Sequence, residues 1–394
     1  MRSGNRIGAA TLAAIVLLAV FAGGLWLGGH PEHLPESLRT AFVDDERSIR
    51  TELIEAVEDD YYKKVDDKKL REDSLKGIVR SLNDRFSAYY TPEEAKEFRQ
   101  SLSAEFEGIG VQVQPDKRGL KVLSIFDGAP AAKAGIRKFD VIVGVNGKSI
   151  AGVPSDVATA RIKGPAGTRV RLSVVSVGET KPRVVSVERA KIEVPLAKGE
   201  METRDGVKIA HVRLAAFSQG AHAAVKKELE PLLRKGAQGI VLDLRGNGGG
   251  LLEEGILVSS LFIEDGPIVS TKGRRRAERK FSAEGDAVAP KLPMAVLVDG
   301  GSASASEIVT GALRDRNRAV VVGEKTFGKG VFQEVEPLSD GSILELVVGS
   351  YYLPSGENIS QKGIQPKVPA KDLPKTRRDE ALPVALDVVA ATVK

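Results

Sequence analysis

Apolar and polar positions change their period along the chain, and the first clear pattern is helical. From Asp44 to about Ser103, apolar residues such as Leu53 and Val57 recur at spacings that line one face of a helix. The sequence Thr91-Pro92-Glu93-Glu94 has the order of a helix start, with a capping threonine, a proline in the first turn and a glutamate that completes a capping box. We therefore expect a small helical arm that contacts a second copy or gates access, without catalytic residues of its own.

The next stretch consists of short strands separated by glycine turns. Its strands are predicted by β-branched and alternating apolar residues, and Asn146-Gly147 is a strong hairpin signal. The expected strands cover Gly110 to Val113, Leu120 to Ile125, Val141 to Val145 and Val170 to Val177, with a short helix from Ala129 to Ala134. This pattern is typical of a compact β-rich module of about 80 residues.

Further along, apolar strands alternate with helices. We expect strands at Val207 to Leu214, Gly239 to Leu244, Met294 to Val298 and Ala319 to Val322, helices at Ala221 to Leu233 and Leu251 to Phe262, and a hairpin turning at Ser339-Asp340-Gly341. This alternation predicts an α/β core with antiparallel additions. In open sheets of this kind, functional groups gather beyond the carboxyl ends of the strands, where two glycine-rich turns fall, DLRGNGGG and VDGGSASASE.

These patterns divide the chain into five parts. They predict an α/β core of mixed sheet and helices, with an inserted β-rich domain and an N-terminal helical arm. The expected boundaries are 1–30 for an apolar N-terminal segment, 31–103 for the helical region, 104–188 for the β-rich domain, 189–370 for the core and 371–394 for a helical tail.

The N-terminal segment has the character of a membrane anchor. Ile7 to Leu27 is uncharged and about as long as the roughly 20 residues that span a bilayer. Arg2 and Arg6 precede it, so the positive-inside rule leaves the start in the cytoplasm and exports the rest. A cleaved signal peptide ending near Ala22-Gly23-Gly24 is the alternative, and the uncleaved anchor is the favoured interpretation.

The net charge of the chain excludes few classes of binding partner. The chain has 394 residues and a formal net charge of +5, which is small for this length and does not by itself indicate nucleic acid. Residues 272–280, KGRRRAERK, concentrate positive charge, and a solvated surface loop is favoured there over a phosphate-binding patch.

The residue inventory restricts the chemistry. The chain has no cysteine, which excludes a thiol nucleophile, and its four histidines, His30, His33, His211 and His222, are scattered. They offer few candidates for a Ser-His-Asp triad and no metal-ligand spacing, so we expect neither a metal nor a cofactor. A serine nucleophile in this chain would therefore most simply use a lysine as its base.

Three serines compete for the role of nucleophile. Ser302, Ser304 and Ser306 alternate at the start of a predicted helix, where at least one hydroxyl is expected to serve as a cap. A serine at a helix start has oriented N–H donors close by for a developing oxyanion, and a glycine turn can bring further backbone donors near.

The lysine candidate, Lys329, lies in a sequence that nearly matches a phosphate-binding loop. Residues Gly323 to Lys329 fit the pattern G-x-x-x-x-G-K, but Gly330 stands where serine or threonine would bind magnesium. The following residues, Val331 to Val335, read as a strand where that motif requires a helix. Nucleotide hydrolysis is therefore disfavoured.

The β-rich domain resembles a PDZ domain. The resemblance is carried by EGIGVQV and by SIFDGAPAAKAGIRKFDVIVGVNGKSI, in which Phe139-Asp140 stands where glycine-aspartate is usual. The residues Gly108, Ile109, Gly110 and Val111 could form a backbone nest for a substrate carboxylate, beside a strand edge that accepts a peptide. A tight turn without a ligand remains the alternative for these glycines.

Most of the exported chain resembles the carboxyl-terminal processing peptidases, the tail-specific S41 serine proteases with a Ser-Lys dyad. The resemblance rests on the order of helical arm, PDZ-like domain, DLRGNGGG, GGSASASEI and GEKTFGKG. It implies Ser304 as nucleophile, Lys329 as general base and Gln333 as the residue that orients the lysine. It further implies that Ala305 and a glycine of Gly249-Gly250 supply the oxyanion N–H groups, and that Asp315 is a supporting acid.

The dyad has a chemical requirement. An unperturbed lysine has a pKa of about 10.4, so only about one in 2,500 would be neutral at pH 7. Lys329 must therefore be desolvated, and we expect Phe327, Val331 and Phe332 to surround it while Gln333 supplies a hydrogen bond without countercharge.

The resemblance also implies the partners. These are protein or peptide substrates with a free carboxyl terminus and a second copy in a homodimer. The apolar N-terminal segment adds the membrane as a partner, and the small net charge gives no reason to expect nucleic acid. In the family a basic residue in an I-R-G loop is tied to activation by bound peptide, and here the loop contains Lys163, for which a solvated turn lysine is an equal alternative. A catalytically inactive peptide-binding scaffold is the alternative function.

Overall fold

A computed structural model describes residues 16–21, 23–24, 26, 45–102, 105–126, 128–285, 287–372 and 378–393. The chain forms two compact units, Met1–Tyr89 and Tyr90–Lys394. Within the described residues, no helix has the length and apolar character needed to cross a membrane. The predicted anchor from Ile7 to Leu27 lies largely outside the described residues.

Helices account for the N-terminal unit and flank the sheets of the larger one. The helices are α1 (Asp45–Asp60), α2 (Asp67–Arg80), α3 (Pro92–Leu102), α4 (Pro130–Lys133), α5 (Ser155–Ile162), α6 (Ala221–Arg234), α7 (Leu252–Ser260), α8 (Ala305–Asp315) and α9 (Ala381–Val393). The capping box predicted for α3 is confirmed, because the Thr91 N–H donates to Glu94 Oε2 at 2.9 Å and the Glu94 N–H donates to Thr91 Oγ1 at 3.3 Å.

Strands other than the first, most of which belongs to the N-terminal unit, build the two domains of the larger unit. Those of the first half are β1 (Ala88–Tyr90), β2 (Glu105–Gly108), β3 (Val111–Asp116), β4 (Gly119–Ile125), β5 (Val141–Val145), β6 (Lys148–Ser149), β7 (Arg169–Val175), β8 (Arg183–Glu188) and β9 (Ala190–Glu193). Those of the second half are β10 (Ala197–Arg204), β11 (Val207–Leu214), β12 (Gly239–Asp243), β13 (Pro267–Gly273), β14 (Arg276–Ser282), β15 (Met294–Val298), β16 (Val320–Gly323), β17 (Val331–Pro337), β18 (Ile343–Tyr352) and β19 (Val368–Pro369).

The core is organised around a six-stranded sheet in the order β10-β11-β12-β15-β16-β19. Strands β11, β12, β15, β16 and β19 run parallel, and β10 is an antiparallel edge. Side chains on one face, such as Val212 and Leu242, pack in a large core with α6, α7 and α8, whereas those on the other face, such as Val241, pack on α9. The α/β core of mixed sheet and helices predicted from the sequence is therefore confirmed.

The β-rich domain has its own sheet and its own core. The strands are ordered β3-β4-β5-β7-β8, β6 pairs with β5, and the predicted Asn146-Gly147 turn joins β5 to β6. Isoleucine, leucine and valine side chains form a core separate from that of the α/β domain. A two-stranded ribbon of β2 and β9 contains both ends of the domain, so the domain is inserted into the chain as expected.

One stretch differs from its expected structure. Residues 272–280 were predicted as a loop, but they form the end of β13, a tight turn and most of β14. The strands are recognised by pairing, with Thr271 opposite Arg279 and Ser270 opposite Lys280. Charged side chains on this exposed hairpin hide the alternation that normally identifies a strand.

Candidate active site

Three turns meet at the carboxyl edge of the parallel sheet. They follow the neighbouring strands β12, β15 and β16, and they are residues 244–251, 299–304 and 324–330. This edge is where open α/β sheets present functional groups. The structure thus brings the serine cluster, the glycine turn and the Lys329 loop together, although they are far apart in the sequence.

Ser304 has an unusual backbone conformation. Its φ of 55° and ψ of −116° lie outside the ordinary regions for a residue with a side chain, and it is the residue directly before α8. Most of the other described residues with positive φ and a side chain are asparagine or aspartate in turns. Strain of this kind costs about 1–3 kcal/mol and persists where the surrounding structure imposes it, commonly at functional sites.

The glycine turn closely approaches Ser304. A Cβ atom added at Gly249, where φ is +97°, would lie 2.7 Å from Ser304 Cβ and 2.9 Å from the Ala305 nitrogen. Only glycine leaves room for this contact. The Gly249 N–H itself donates to Asn247 Oδ1 at 2.9 Å, which leaves Gly250 and Ala305 as the members of the predicted set whose N–H groups can serve an oxyanion.

The other two serines connect the serine turn to the glycine turn by hydrogen bonds. The Ser302 hydroxyl donates to the Leu244 carbonyl at 2.8 Å and accepts from the Asp299 N–H at 3.0 Å. The Ser306 hydroxyl donates to the Asn247 carbonyl at 2.7 Å. Both hydroxyls are fully buried and engaged, so Ser302 and Ser306 have structural roles and Ser304 remains the candidate nucleophile.

Glu307 joins the serine to the lysine loop. Its carboxylate is fully buried, and Oε2 accepts from the N–H groups of both Ser304 and Lys329 at 3.0 Å. Its Oε1 accepts from the Thr326 hydroxyl at 2.6 Å and from the Gly328 N–H at 2.7 Å. One carboxylate therefore fixes the main chain at both members of the proposed dyad.

Tyr351 completes the surroundings of Glu307. The Gly330 N–H donates to the Tyr351 hydroxyl at 3.3 Å. Burial, together with the negative charge of Glu307, raises the pKa of Tyr351 well above its usual value. The tyrosine therefore stays protonated and serves as a neutral hydrogen-bonding group.

Ser304, Lys329 and Gln333 line one cleft of about 650 Å³ together with Gly249, Gly250 and Phe332. Lys329 is partly buried, and Phe332 supplies an apolar wall as predicted. Phe327 is 43% exposed and is not among the residues that line the cleft, so its expected place beside Lys329 stays a prediction. The Phe327 N–H donates to the Ser302 carbonyl at 3.1 Å, which ties the main chain of the Lys329 loop to the serine turn.

Asp315 is not brought to the cleft. It lies at the other end of α8, about 16 Å along the helix axis from Ser304. Its carboxylate accepts from Arg314 Nε at 2.7 Å and from the Ser355 N–H at 3.0 Å. These contacts give Asp315 a structural role, and the expectation of a supporting acid at this position has no geometric basis.

Asp243, at the end of β12, and Arg245, in the turn that follows, hold the glycine turn in position. Asp243 is fully buried and accepts hydrogen bonds from His211 and from Arg245, whose guanidinium also pairs with Asp372 and Asp379. Burial alone would raise the pKa of Asp243, but the hydrogen bonds and the charge of Arg245 outweigh it and hold the pKa well below its usual range. This network holds the turn in position.

A second cluster outside the cleft has the composition of a weak metal site. Oxygen or nitrogen atoms of Glu200, Glu202 and His211 lie within 4.8 Å of one another on β10 and β11. His211 is already bonded to Asp243, and Glu200 pairs with Lys198. None of these three residues lines the cleft.

The predicted carboxylate-binding loop lies between β2 and β3. Ile109 is buried, and the carbonyls of Ile109 and Gly110 accept from Ala131 and Phe126, which orders the loop. Lys163 follows α5, and its Cγ would lie 4.0 Å from a Cβ added at Gly108. The structure therefore brings Lys163 beside this loop.

Comparisons with known proteins agree with the fold. A model of peptidase family S41 matches residues 208–370, and a model of the PDZ domain matches residues 97–175. The carboxy-terminal processing protease CtpA of Bacillus subtilis (strain 168) is 38% identical over 318 residues, which cover 80% of this chain and 67% of that protein. The carboxy-terminal-processing protease of Bartonella bacilliformis is 38% identical over 322 residues, covering 80% and 73%.

A solved structure extends the comparison. The photosystem II D1 C-terminal processing protease matches with a TM-score of 0.50 and 29% identity, covering 89% of this chain and 98% of that one. An α/β peptidase core with an inserted PDZ domain defines the class of this protein as a serine peptidase. The chain belongs to peptidase family S41, among whose members are the carboxy-terminal processing proteases.

Proposed function

We propose that this chain is a membrane-anchored endopeptidase outside the cytoplasm that cleaves protein substrates with a Ser304–Lys329 dyad. The observation that carries the proposal is the strained Ser304 at the start of α8, against which Gly249 packs without a side chain. Such a geometry exposes a hydroxyl beside backbone N–H groups, as acyl transfer requires.

In the proposed reaction, Ser304 Oγ attacks the carbonyl carbon of the scissile bond while Lys329 Nζ accepts the hydroxyl proton. The N–H groups of Ala305 and Gly250 stabilise the oxyanion. Lys329 then gives the proton to the leaving amine, and an acyl-enzyme on Ser304 remains. A water molecule, deprotonated by Lys329, then attacks the acyl carbon; the bond to Ser304 Oγ breaks, Lys329 returns the proton to this oxygen, and the product leaves with a new carboxyl terminus.

Gln333 is proposed to orient Lys329. It lines the same cleft and lies on β17, the strand that begins two residues after Lys329. An amide side chain can hold the amine by a hydrogen bond without adding a countercharge, which favours the neutral form of lysine that a base requires. Phe332 supports this by limiting the access of water.

The PDZ domain supplies substrate selection in this proposal. We infer that the loop of Gly108 to Val111 captures a free carboxyl terminus, with the positive charge of Lys163 beside it. The N-terminal apolar segment would hold the enzyme at the membrane, and a second copy would form a homodimer. The last two inferences rest on the sequence and on the resemblance alone.

The dyad is tested by cleavage of an unstructured protein. Ser304→Ala and Lys329→Ala should each lower kcat/KM by at least about a thousandfold with the thermal transition retained. Lys325→Ala is the matched control, because this exposed lysine lies in the same loop. Cleavage at the wild-type rate by either dyad variant would overturn the proposal and favour a scaffold whose apparent activity comes from a contaminant.

A further inference from the structure

Phe139 in the PDZ domain has a conformation that its side chain does not favour. The turn from Arg137 to Asp140 is closed by a hydrogen bond from the Asp140 N–H to the Arg137 carbonyl at 3.1 Å, and Phe139 is its third residue. Its φ is +72°, a value for which glycine is the usual residue in such a turn. A bulky aromatic residue there is strained, and strain is a starting point for a functional hypothesis.

The Phe139 ring is not needed to fill a core. It is 47% exposed, and it borders a surface depression of about 380 Å³ that it shares with Val177, which is 68% exposed. The ring is not among the buried side chains that form the core of the domain, and its cation–π contacts with Lys121 and Lys138, about 0.5–1 kcal/mol each, are of the same order as the cost of the strain. An aromatic side chain kept at the surface on a strained backbone is therefore a candidate for contact with something outside the domain.

Basic side chains surround the ring. Lys121 Nζ lies 5.1 Å and Lys138 Nζ 5.0 Å from the ring centroid, and Arg118 lines the same depression. Asp116 and Glu179 are the acidic residues of this lining, and Asp116 already pairs with Arg118. We call the set of Phe139, Val177, Lys121, Lys138 and Arg118 the Phe139 patch.

We propose that the Phe139 patch docks the PDZ domain on a lipid surface with anionic headgroups. An aromatic ring with a flanking aliphatic side chain suits the boundary between headgroups and acyl chains, and the lysine and arginine groups suit anionic headgroups. The sequence adds an independent reason for a bilayer as partner, since the apolar segment from Ile7 to Leu27 predicts that the chain resides at one. An acidic protein partner is the competing occupant, and the experiment separates the two.

The absence of cysteine in the chain permits a direct test. Full-length Val177→Cys, carrying an environment-sensitive fluorophore, is mixed with phosphatidylcholine vesicles with or without phosphatidylglycerol. We expect a blue shift and protection from an aqueous quencher only with phosphatidylglycerol, and loss of both when Lys121 and Lys138 are replaced by glutamate, an affinity change of about tenfold or more. A label at Lys148→Cys, in the hairpin at the opposite end of β5, should stay accessible.

Three results would overturn the proposal. These are equal quenching in both kinds of vesicle, equal protection of the labels at 177 and 148, and protection by soluble polyglutamate without vesicles, which would assign the patch to an acidic protein. The comparison holds whether or not the N-terminal segment inserts, because the two vesicle types differ only in headgroup charge. It is independent of catalysis and can be made on the Ser304→Ala background.

Phe139→Gly separates a docking role from a structural one. Glycine adopts φ +72° without strain, so this variant should melt at a higher temperature than the wild type while its Val177→Cys label loses protection by phosphatidylglycerol vesicles. Phe139→Ala, which keeps the strain and removes the ring, should lose protection without the gain in melting temperature. A lower melting temperature for Phe139→Gly would show that the ring packs for stability and would contradict the proposal.

Discussion

At the scale of single residues, the cleft depends on Glu307 as much as on the groups that would react. Its two oxygens accept four hydrogen bonds, two of them from the main chain of Ser304 and Lys329. A carboxylate is suited to this task, because both oxygens accept and neither donates. The carboxylate of Glu307 therefore fixes the positions of Ser304 and of the lysine loop relative to each other.

Replacing Glu307 by glutamine tests whether its carboxylate holds Ser304 and the Lys329 loop in position. The amide group presents N–H donors to groups that are themselves donors, so we expect Ser304 and the Lys329 loop to separate slightly. Displacements of about 1 Å at a reacting centre cost on the order of a hundredfold, and the loss should appear in kcat rather than in KM. Glu324→Gln, in the same loop but paired with Lys371 at the surface, should change kcat less than about twofold.

Gly249 gives a second prediction at this scale. Gly249→Ala places a Cβ 2.6 Å from the Ala303 carbonyl oxygen and 2.7 Å from Ser304 Cβ, so the turn must move. We expect kcat to fall by about a hundredfold or more through loss of the oxyanion geometry. A Cβ at Gly248 meets nothing within 4 Å, so Gly248→Ala should be far milder, and an equal loss in both would contradict the packing argument.

Residue patterns predicted part of this site. The serine cluster, the lysine loop and the glycine turn could be assigned from sequence, because each follows a strand and the carboxyl ends of parallel strands share an edge. Glu307 was missed, although the spacing Ser304-x-x-Glu307 is that of a capping box. Its contacts to Thr326, Gly328 and Lys329 depend on the approach of a distant loop, and no local pattern encodes that approach.

At the scale of elements, the site is held by the connection between β12 and α9. Arg245 follows β12 and pairs with Asp243, while its guanidinium reaches Asp379, just before α9. These ion pairs connect α9, which covers one face of the sheet, to the glycine turn at the edge of the sheet.

This network predicts a pH dependence of stability. The pKa of Asp243 is depressed in the folded protein, so its contribution is fully present above the unfolded value of about 3.9 and is lost as pH falls through the lower folded value. Asp243→Asn should therefore lower the melting temperature strongly at pH 7, by the equivalent of about 3–5 kcal/mol, and the difference from the wild type should shrink below about pH 4. A difference that is constant from pH 3 to pH 7, measured by thermal unfolding, would contradict this account.

Helices and strands whose apolar positions recur with a clear period were predicted well, and those without such a period were not. Strands β11 and β15 have their predicted bounds, and β17 is the strand that argued against a phosphate loop. Helix α5 and strand β8 were not predicted. The sequence of α5, SDVATARI, has no strong apolar stripe. The exposed side chains of β8 include both apolar and polar ones, so apolar and polar residues do not alternate along its whole length.

At the scale of the whole molecule, the proposed capture of a substrate tail connects the PDZ domain to the cleft. A substrate amide in place of the carboxyl terminus removes the charge that Lys163 would meet. We expect Lys163→Ala to raise KM up to about fivefold for a peptide with a free carboxyl terminus and to leave the amidated peptide unchanged. Lys148→Ala is the control on the same domain, and equal effects on both peptides would contradict a role for Lys163 in carboxylate binding.

The central claim is that Ser304 is the nucleophile and that Lys329 activates it. Its most direct test is rapid quenching of the full chain during turnover of an activated ester peptide, followed by mass spectrometry of the acylated residue. We predict an acyl group on Ser304 in the wild type and none above background in Lys329→Ala. An acyl group on another residue, or acylation of Ser304 at an undiminished rate in Lys329→Ala, would contradict the dyad.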